Sequence, residues 1–592
     1  MEIKYSDQIL DWLLELGYTH CFFVGGGNVM HLLESARKKL TCVPVVHEVA
    51  AGIAAEYFNE SNQNGKKAFA LVTAGPGVTN IITALGGAWL ESRELLVIAG
   101  QAKTTNLAKG FVRQIGHQEI DGKSLAQPFS KKSILLEKQI GKLEFNSIVS
   151  DSFTNRKGPV FIEICIDVTA QPSNNIEMKN EENEFQKNNF NYEEAVANSI
   201  ELLKKSKRPT FLLGGGLNRQ VAWDSRNNLR TIGIPIGCTW NGMDRFSFSE
   251  DLSYGRPNTY GMRSANITIQ QSDLVFAIGT RLGLQQTGFA WDKFAEKAKI
   301  IQVDIDKNEL IKGHPKIDLA LNCDANIFFP KLINEILKLN IKFDKWVEYI
   351  KNIKTLIPLK DKSNIARSDY IEAYEFVSNL SKKLKDDDVI IPCSSGGAFT
   401  TMMSGFINKP NQIVITNKGL ASMGYGLSGA IGASISNPKK RCILVEGDGG
   451  FAQNLQELGT VKSQDLNLKI FIFSNDGYAS IKTMQKAYFN GNYIGCDGQT
   501  GVGLPNWEKL VESYDLPVVT LNNQEILENQ HTNELLNYVG PAVFVVPIDP
   551  EQTYLPKITS KLNPDGTMTS NPLHLMSPPL EEEIAQKVMK YI

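Results

Sequence analysis

Short apolar runs alternate with amphipathic stretches from one end of the chain to the other. Four apolar residues at 21–24 precede three glycines, and a second run at 69–72 leads into a Gly-Pro-Gly turn. A stretch with helical spacing of apolar positions, 78–89, connects that turn to a third apolar run at 95–99. Buried strands that end in glycine and lead into helices are typical of parallel sheets covered by helices. The pattern therefore predicts an α/β fold.

The same alternation begins again twice along the chain, after two polar stretches without apolar periodicity. We therefore predict three doubly wound parallel-sheet domains joined by linkers. The predicted division is a first domain at 1–170, a linker at 171–191, a central domain at 192–345, a linker at 346–367, a third domain at 368–550 and a C-terminal tail at 551–592.

Composition narrows the class of protein. The 592 residues are 42% hydrophobic and 21% charged, which supports several buried cores and excludes a disordered or fibrous chain. The net charge of −2 disfavours nucleic acid and anionic membranes as partners. No apolar run approaches the roughly 18 residues that a membrane span needs, and the first residues lack the layout of a signal peptide. We expect a cytoplasmic protein whose eight scattered cysteines are free thiols.

The third domain carries the most informative motif. An apolar strand leads into Gly447-Asp448-Gly449, and the next strand, 468–473, ends just before Asn475. Open α/β sheets bind ligands at the carboxyl ends of their strands. Mg²⁺ prefers oxygen ligands and shares them with phosphates, so Asp448, Asn475 and a carbonyl near Gly477 suit a magnesium diphosphate. Gly-Asp-Gly alone would fit a plain turn with a capping aspartate; its spacing to Asn475 favours the metal site.

This spacing resembles that of the thiamine diphosphate (ThDP) enzymes of the acetolactate synthase and pyruvate decarboxylase group, and the resemblance extends over nearly the whole chain. Ser474 stands where the family motif often has a first asparagine. The resemblance implies a pyrimidine-binding first domain, a central domain and a diphosphate-binding third domain. It also implies ThDP and Mg²⁺ as cofactors.

In this family a glutamate of the first domain activates ThDP, and the matching residue is Glu48. A buried carboxyl there donates a hydrogen bond to N1′ of the aminopyrimidine, so that the 4′-imino group removes the thiazolium C2 proton. Met423 matches the large apolar residue that supports the bent form of ThDP. The resemblance makes Glu48, Gln118 and Met423 the catalytic residues and Asp448, Asn475 and Gly477 the metal ligands. Further cofactor contacts are implied at Gly75, Asn80, Ser395, Gly396, Ala421, Gly449, Gly450 and Tyr478.

The substrate residues depart from the acetolactate synthase pattern. Gln118 is kept, but His117 replaces a phenylalanine, and Met484 stands where those synthases have an acceptor-pocket tryptophan. Arg281 matches an arginine that binds the carboxylate of the second keto acid, which suits a guanidinium. Gly26 completes the predicted substrate contacts. No two histidines are adjacent, which disfavours simple aldehyde release of the pyruvate decarboxylase type.

The expected function is a decarboxylating carboligase acting on pyruvate or a similar 2-keto acid. Stretches 255–263 and 475–481 resemble ThDP proteins of bacterial surface-polysaccharide clusters, which leaves two-carbon transfer to a nucleotide keto sugar as an alternative. A third hypothesis is a non-catalytic subunit with the ThDP-enzyme fold.

Two further expectations come from the resemblance. The central domain resembles the FAD-binding domain of acetolactate synthases, with Gly214-Gly215-Gly216 after a strand and Asp304, Asp306 and Asp324 at flavin-contact positions, so FAD stays open as a cofactor. Because Glu48 and Asp448 meet across a subunit interface in the family, a homodimer or homotetramer with shared active sites is implied.

Overall fold

The computed structural model describes residues 3–173, 190–522 and 527–592. Over these ranges the chain forms three six-stranded sheets whose strand pairs are all parallel, and one small antiparallel hairpin near the C-terminus. Helices pack against each large sheet, which confirms the predicted α/β class with three doubly wound domains. Most of the predicted first linker, residues 174–189, lies outside the described residues. Within the described ranges no helix is both long enough and apolar enough to cross a membrane.

The first sheet has the strand order β2-β1-β3-β4-β6-β5. Its strands are β1 Tyr18–Phe23, β2 Thr41–Pro44, β3 Lys67–Val72, β4 Leu95–Gln101, β5 Lys132–Leu136 and β6 Pro159–Cys165. Its helices are α1 Tyr5–Glu15, α2 Met30–Lys39, α3 Glu48–Ser61, α4 Pro76–Glu91, α5 Gly122–Ala126, α6 Lys142–Ser150 and α7 Ile166–Ala170.

The central sheet has the order β12-β11-β10-β7-β8-β9. Its strands are β7 Pro209–Leu213, β8 Ile236–Cys238, β9 Ser253–Gly255, β10 Leu274–Ile278, β11 Lys299–Asp304 and β12 Leu319–Asn322. Its helices are α8 Tyr192–Lys205, α9 Arg219–Asp224, α10 Arg226–Ile232, α11 Arg263–Gln270, α12 Leu284–Thr287, α13 Lys307–Ile311, α14 Ala325–Lys338 and α15 Asp344–Leu356.

The third sheet has the order β14-β13-β15-β16-β18-β17. Its strands are β13 Val389–Ile391, β14 Ile413–Val414, β15 Cys442–Gly447, β16 Leu468–Ser474, β17 Val518–Thr520 and β18 Ala542–Pro547. Its helices are α16 Ala373–Lys383, α17 Gly396–Gly405, α18 Tyr425–Ser436, α19 Asp448–Phe451, α20 Leu458–Ser463, α21 Ala479–Tyr488, α22 Trp507–Glu512 and α23 Gln530–Asn537. The hairpin β19 Ser560–Leu562 with β20 Met568–Ser570 and helix α24 Glu582–Val588 follow in the C-terminal tail.

The structure corrects the predicted linker at 346–367. Helix α15 occupies its first half and buries Trp346, Ile350 and Ile353. The indole N–H of Trp346 donates to the carbonyl of Pro209 at 3.1 Å, at the start of the central sheet. Charged residues between the apolar positions make the helical spacing of this segment hard to recognise in the sequence. The boundaries of the domains otherwise stay predictions.

Helices α3 and α18 join the first and third domains. A side chain on Gly432 would overlap with the backbone of Ala54, so glycine allows the two helices to touch closely. Beside this contact, Arg93 forms a buried ion pair with Glu56 at 2.9 Å, and Tyr425 donates to the same carboxylate at 2.6 Å. Arg93 also donates to the carbonyl of Thr416 at 2.6 Å. A charged pair of the first domain is thus completed, away from water, by the Tyr425 hydroxyl and the Thr416 carbonyl of the third domain.

Replacing Arg93 with methionine tests this joint. The substitution leaves the Glu56 carboxyl buried without its ion-pair partner, which we expect to lower the free energy of unfolding by about 3–5 kcal/mol. Urea unfolding followed by circular dichroism measures the change. Arg37→Met is the control, because Arg37 pairs with Glu34 on the exposed surface and its loss should not move the transition. Equal midpoints for the two variants would contradict the role of the joint.

Candidate active site

The carboxyl edge of the third sheet gathers the motif residues of that domain. Strand β13 lies between β14 and β15, so the direction of the strand order reverses between β13 and β15. Such a switch point opens a crevice at the carboxyl ends of the strands. The segments after β13, β15 and β16 begin α17, carry Asp448 and carry Asn475, respectively. The strand order therefore places the start of α17, Asp448 and Asn475 next to one another, as the sequence predicts.

Three oxygen atoms converge at this edge. The buried Asp448 carboxylate accepts hydrogen bonds from the backbone N–H of Asn475 at 2.8 Å and of Gly449 at 2.7 Å. The side-chain oxygen of Asn475 faces Asp448 Oδ1 and the carbonyl oxygen of Gly477, each at 3.1 Å, without a donor between them. Adjacent oxygens around an octahedral Mg²⁺ lie about 3.0 Å apart, because its bonds are about 2.1 Å long. Both separations from the Asn475 oxygen thus fit ligands that share one cation. Without a cation, a rotated Asn475 amide would donate to both acceptors.

Backbone geometry holds the Asn475 segment in place. Gly477 has φ of +129°, and a side chain there would overlap with the carbonyl of Cys496. The N–H of Tyr478 donates to that same carbonyl at 2.7 Å, and the Tyr478 ring packs against Gly449. Glycine at 477 is therefore required for its carbonyl to turn toward Asp448.

The N-terminus of α17 lies at the same edge. Its first residue, Gly396, has φ of +82°, and Ser395 makes no side-chain capping bond. The first turn contains no acidic residue, so its backbone N–H groups and the helix dipole remain available to an anion. The predicted residues Ser395 and Gly396 are thus placed where a diphosphate can bind. Gly450 follows Asp448 within α19.

The loop 419–424 presents Met423. Ala421 has φ of +57°, a strained conformation for a residue with a side chain. Asn454 donates to the carbonyl of Gly424 at 2.7 Å, and Ser394 donates to that of Ser422. Met423 itself is 39% exposed, which excludes a role as core filler and agrees with contact to a ligand.

A second group of predicted residues lies at the carboxyl edge of the first sheet. Glu48, the first residue of α3, is 8% exposed, and Asn80 donates to its carboxylate at 2.9 Å. Gly75 has φ of +65°, and a Cβ there would lie 2.6 Å from the carbonyl oxygen of Gln118, whose own φ is +60°. The activating-glutamate position and Gln118 therefore belong to loops on one edge.

The predicted substrate residues Gly26 and His117 are at this edge as well. A side chain on Gly26 would overlap with Thr73, and Asn28 donates to the carbonyl of His117 at 3.4 Å. The first-domain residues thus form one cluster from the segments that follow β1, β2, β3 and β4.

The structure does not bring all predicted residues together. Among the described residues, no hydrogen bond or ion pair joins Glu48 or Asn80 to the third domain. Arg281 is exposed beyond β10, and Met484 is 52% exposed on α21. We call the two groups the glutamate half-site (Glu48, Asn80, Gly75, Gln118) and the metal half-site (Asp448, Asn475, Gly477, Met423).

Sequence reasoning missed Glu457, which connects the two domains near these groups. Its carboxylate accepts the backbone N–H of Val46 at 3.1 Å and of His47 at 3.0 Å, directly before Glu48. No local pattern identifies such a contact, because the partners are more than 400 positions apart. Its nearness in sequence to Asp448 was the only available signal.

The residues named for a flavin have partners of their own. The N–H groups of Gly214 and Gly216 donate to the carbonyls of Ile278 and Gly279, each at 2.9 Å, instead of facing a phosphate. The carboxylates expected at flavin contacts each accept local backbone N–H groups, in the pairs Asp304 with Asp306, Asp306 with Asn308 and Asp324 with Asn326. The glycine turn therefore does not present the N–H groups of Gly214 and Gly216 to a phosphate, and FAD stays a prediction.

Comparison with known proteins decides the family. The chain matches the thiamine pyrophosphate enzyme N-terminal TPP binding domain over residues 3–125, the central domain over 196–332 and the C-terminal TPP binding domain over 395–546. The chain belongs to the thiamine pyrophosphate enzymes. Thiamine pyrophosphate is ThDP, so this thiamine pyrophosphate enzyme has its three family domains in the predicted order.

Similar curated proteins indicate which class of thiamine pyrophosphate enzyme the chain resembles. An acetolactate synthase large subunit of Porphyra purpurea is 26% identical over 573 residues, covering 93% of this chain and 92% of the relative. Isozyme 1 of Escherichia coli is 26% identical over 561 residues, covering 93% and 95%. A probable large subunit of Methanococcus aeolicus is 28% identical over 529 residues, covering 85% of each. This thiamine pyrophosphate enzyme is of the acetolactate synthase-like type that forms carbon–carbon bonds.

Cation binding at Asp448 should depend on pH. Burial raises the pKa of Asp448 to about 7, although the N–H groups of Asn475 and Gly449 oppose the rise. A cation needs the ionised carboxylate, so protons compete with it below that pKa and affinity should fall by up to about tenfold per pH unit. Above pH 7 the affinity should level off. Calorimetric titration of Mg²⁺ with ThDP present, on both sides of pH 7, measures this against a protein-free control; an unchanged protein-specific affinity would contradict it.

Proposed function

We propose that this thiamine pyrophosphate enzyme is a ThDP- and Mg²⁺-dependent decarboxylating carboligase that acts on pyruvate or a similar 2-keto acid. The observation that carries the proposal is the convergence of the Asp448, Asn475 and Gly477 oxygens near the uncapped N-terminus of α17. A cytoplasmic location belongs to the same proposal.

Bound ThDP supplies a nucleophilic carbon that lets a 2-keto acid lose carbon dioxide and joins the remaining acyl unit to a carbonyl. The side chains of the protein bind and orient the cofactor and hold a proton for it. Asp448, Asn475 and Gly477 hold the cation, and the first turn of α17 binds the diphosphate. Glu48, oriented by Asn80, holds a proton for the aminopyrimidine N1′. Met423 supports the cofactor from its strained loop.

A second copy of the chain completes each site in this proposal. The two half-sites have no described hydrogen bond or ion pair between them, although the chemistry requires both. Exposed apolar side chains accompany each: Phe111 and Ile115 precede Gln118, and Leu420 precedes Met423. Burying such side chains against a partner is favourable. We therefore propose a homodimer or homotetramer in which Glu48 of one chain faces the metal half-site of the other.

The acceptor is the open part of the proposal. Arg281 would bind a keto-acid carboxylate if the acceptor is a second pyruvate. The two positions that depart from the synthases, His117 and Met484, are both exposed, which favours room for a larger ketone. Two-carbon transfer to a nucleotide keto sugar is therefore kept as the second candidate.

Replacing Glu48 with glutamine tests the proposed chemistry. The amide cannot supply the carboxyl proton, so turnover of pyruvate should fall at least about a hundredfold. Binding of ThDP with Mg²⁺, measured by calorimetry, should persist. Glu94→Gln is the matched control, because Glu94 is a buried glutamate of the same domain, 9% exposed, and its variant should keep its activity. Full activity of Glu48→Gln would contradict the proposal.

Isotopically labelled pyruvate separates the two acceptors. With pyruvate alone, the leading proposal expects rapid labelled acetolactate, identified by mass spectrometry. Product that forms only after a nucleotide keto sugar is added would instead establish the second candidate. If labelled carbon dioxide is released in neither experiment, the result contradicts both candidate functions.

A further inference from the structure

Tyr554, in the C-terminal tail, reaches the metal half-site from outside the third sheet. Its hydroxyl is buried and has no hydrogen-bond partner among the described residues. The ring lies against Gly397, the second residue of α17, where a Cβ would overlap with the phenol. Because Gly397 has no side chain, a tyrosine from the tail can pack against the first turn of that helix.

The neighbouring polar side chain is the amide of Asn475. Burial raises the pKa of Tyr554, and its interaction with the Asn475 side chain opposes that rise. With the Asn475 oxygen turned toward Asp448 and Gly477, its nitrogen has no hydrogen-bond acceptor among the described residues. An unpartnered donor and an unpartnered hydroxyl are thus adjacent beside the three converging oxygens.

Asn364 fixes the tail around this tyrosine. Its amide donates to the carbonyl of Leu555 at 2.7 Å and accepts from the N–H of Leu555 at 3.1 Å. The hydroxyl of Thr553 also donates to Asn364, at 2.9 Å. Both neighbours of Tyr554 are therefore tied to one buried side chain, which holds the phenol in place.

We propose that Tyr554 is a positioning residue of the metal half-site: its hydroxyl accepts a hydrogen bond from Asn475 Nδ2 and thereby keeps the amide oxygen turned toward the cation. The two orientations of an amide have nearly the same shape, and the wrong one would present N–H groups to the cation. The hydroxyl lies at Gly397, where its proton can be donated to an anion at the first turn of α17. Its oxygen is then left only to accept, so the amide nitrogen must face it and the amide oxygen faces the cation. This inference rests on the proposed binding of ThDP and Mg²⁺.

Replacing Tyr554 with phenylalanine removes only the hydroxyl. With saturating ThDP, the dissociation constant for Mn²⁺, used as a spectroscopic substitute for Mg²⁺ and followed by paramagnetic resonance of the free ion, should rise about five- to tenfold. Without cofactor the hydroxyl can donate to the rotated Asn475 amide, so the thermal stability should fall by no more than the loss of one hydrogen bond allows. A merely structural tyrosine would leave the Mn²⁺ affinity unchanged. Tyr57→Phe is the control, because Tyr57 is another buried tyrosine with an unpartnered hydroxyl and lies in α3.

An aspartate at 475 provides an independent test. Both terminal atoms of an aspartate side chain are oxygens, so no orientation needs to be selected. Adding Tyr554→Phe to the Asn475→Asp variant should therefore leave its Mn²⁺ affinity unchanged. An affinity of Tyr554→Phe within about twofold of the unsubstituted protein would overturn the inference and leave the proposed function intact. Failure of the unsubstituted protein to bind Mn²⁺ with ThDP would overturn both.

Discussion

The register between β15 and β16 brings the three oxygen ligands of the metal half-site together. Gly447 pairs with Phe473 at the ends of these strands, which places Asp448 beside the segment that carries Asn475. The Asn475 N–H then closes onto the Asp448 carboxylate, and Gly477 turns its carbonyl toward the same point. A shift of one residue would reverse the faces of the strand and separate these groups. Strand β18 continues the register, with Ser474 paired to Pro547, and leads into the tail that carries Tyr554.

No described hydrogen bond or ion pair joins Glu48 or Asn80 to the metal half-site. The buried ion pair of Glu56 with Arg93 lies in the first domain, and its hydrogen bonds to the Tyr425 hydroxyl and the Thr416 carbonyl tie that domain to the third. In that arrangement Glu48 is held by Asn80, with Glu457 fixing the backbone just before it. This joint leaves both half-sites free for the proposed assembly, in which a second copy completes each site.

The fold and the closeness of Asp448 to Asn475 could be predicted from the sequence, because both depend on local patterns. Apolar runs that end in glycine correspond to strands of parallel sheets, and the distance from Asp448 to Asn475 corresponds to one strand-helix-strand unit. Sequence reasoning failed at α15, where charged residues between the apolar positions obscured the buried stripe of the helix. Glu457 and Tyr554 could not be predicted, since only the folded chain brings them to their partners.

A crystal structure of the protein with ThDP and Mg²⁺ tests the central claim most directly. The account predicts one cation coordinated by Asp448 Oδ1, Asn475 Oδ1 and the Gly477 carbonyl together with diphosphate oxygens. It also predicts that the carboxyl at the aminopyrimidine is Glu48 of the second copy. A cation bound elsewhere, or an aminopyrimidine without Glu48, would contradict it.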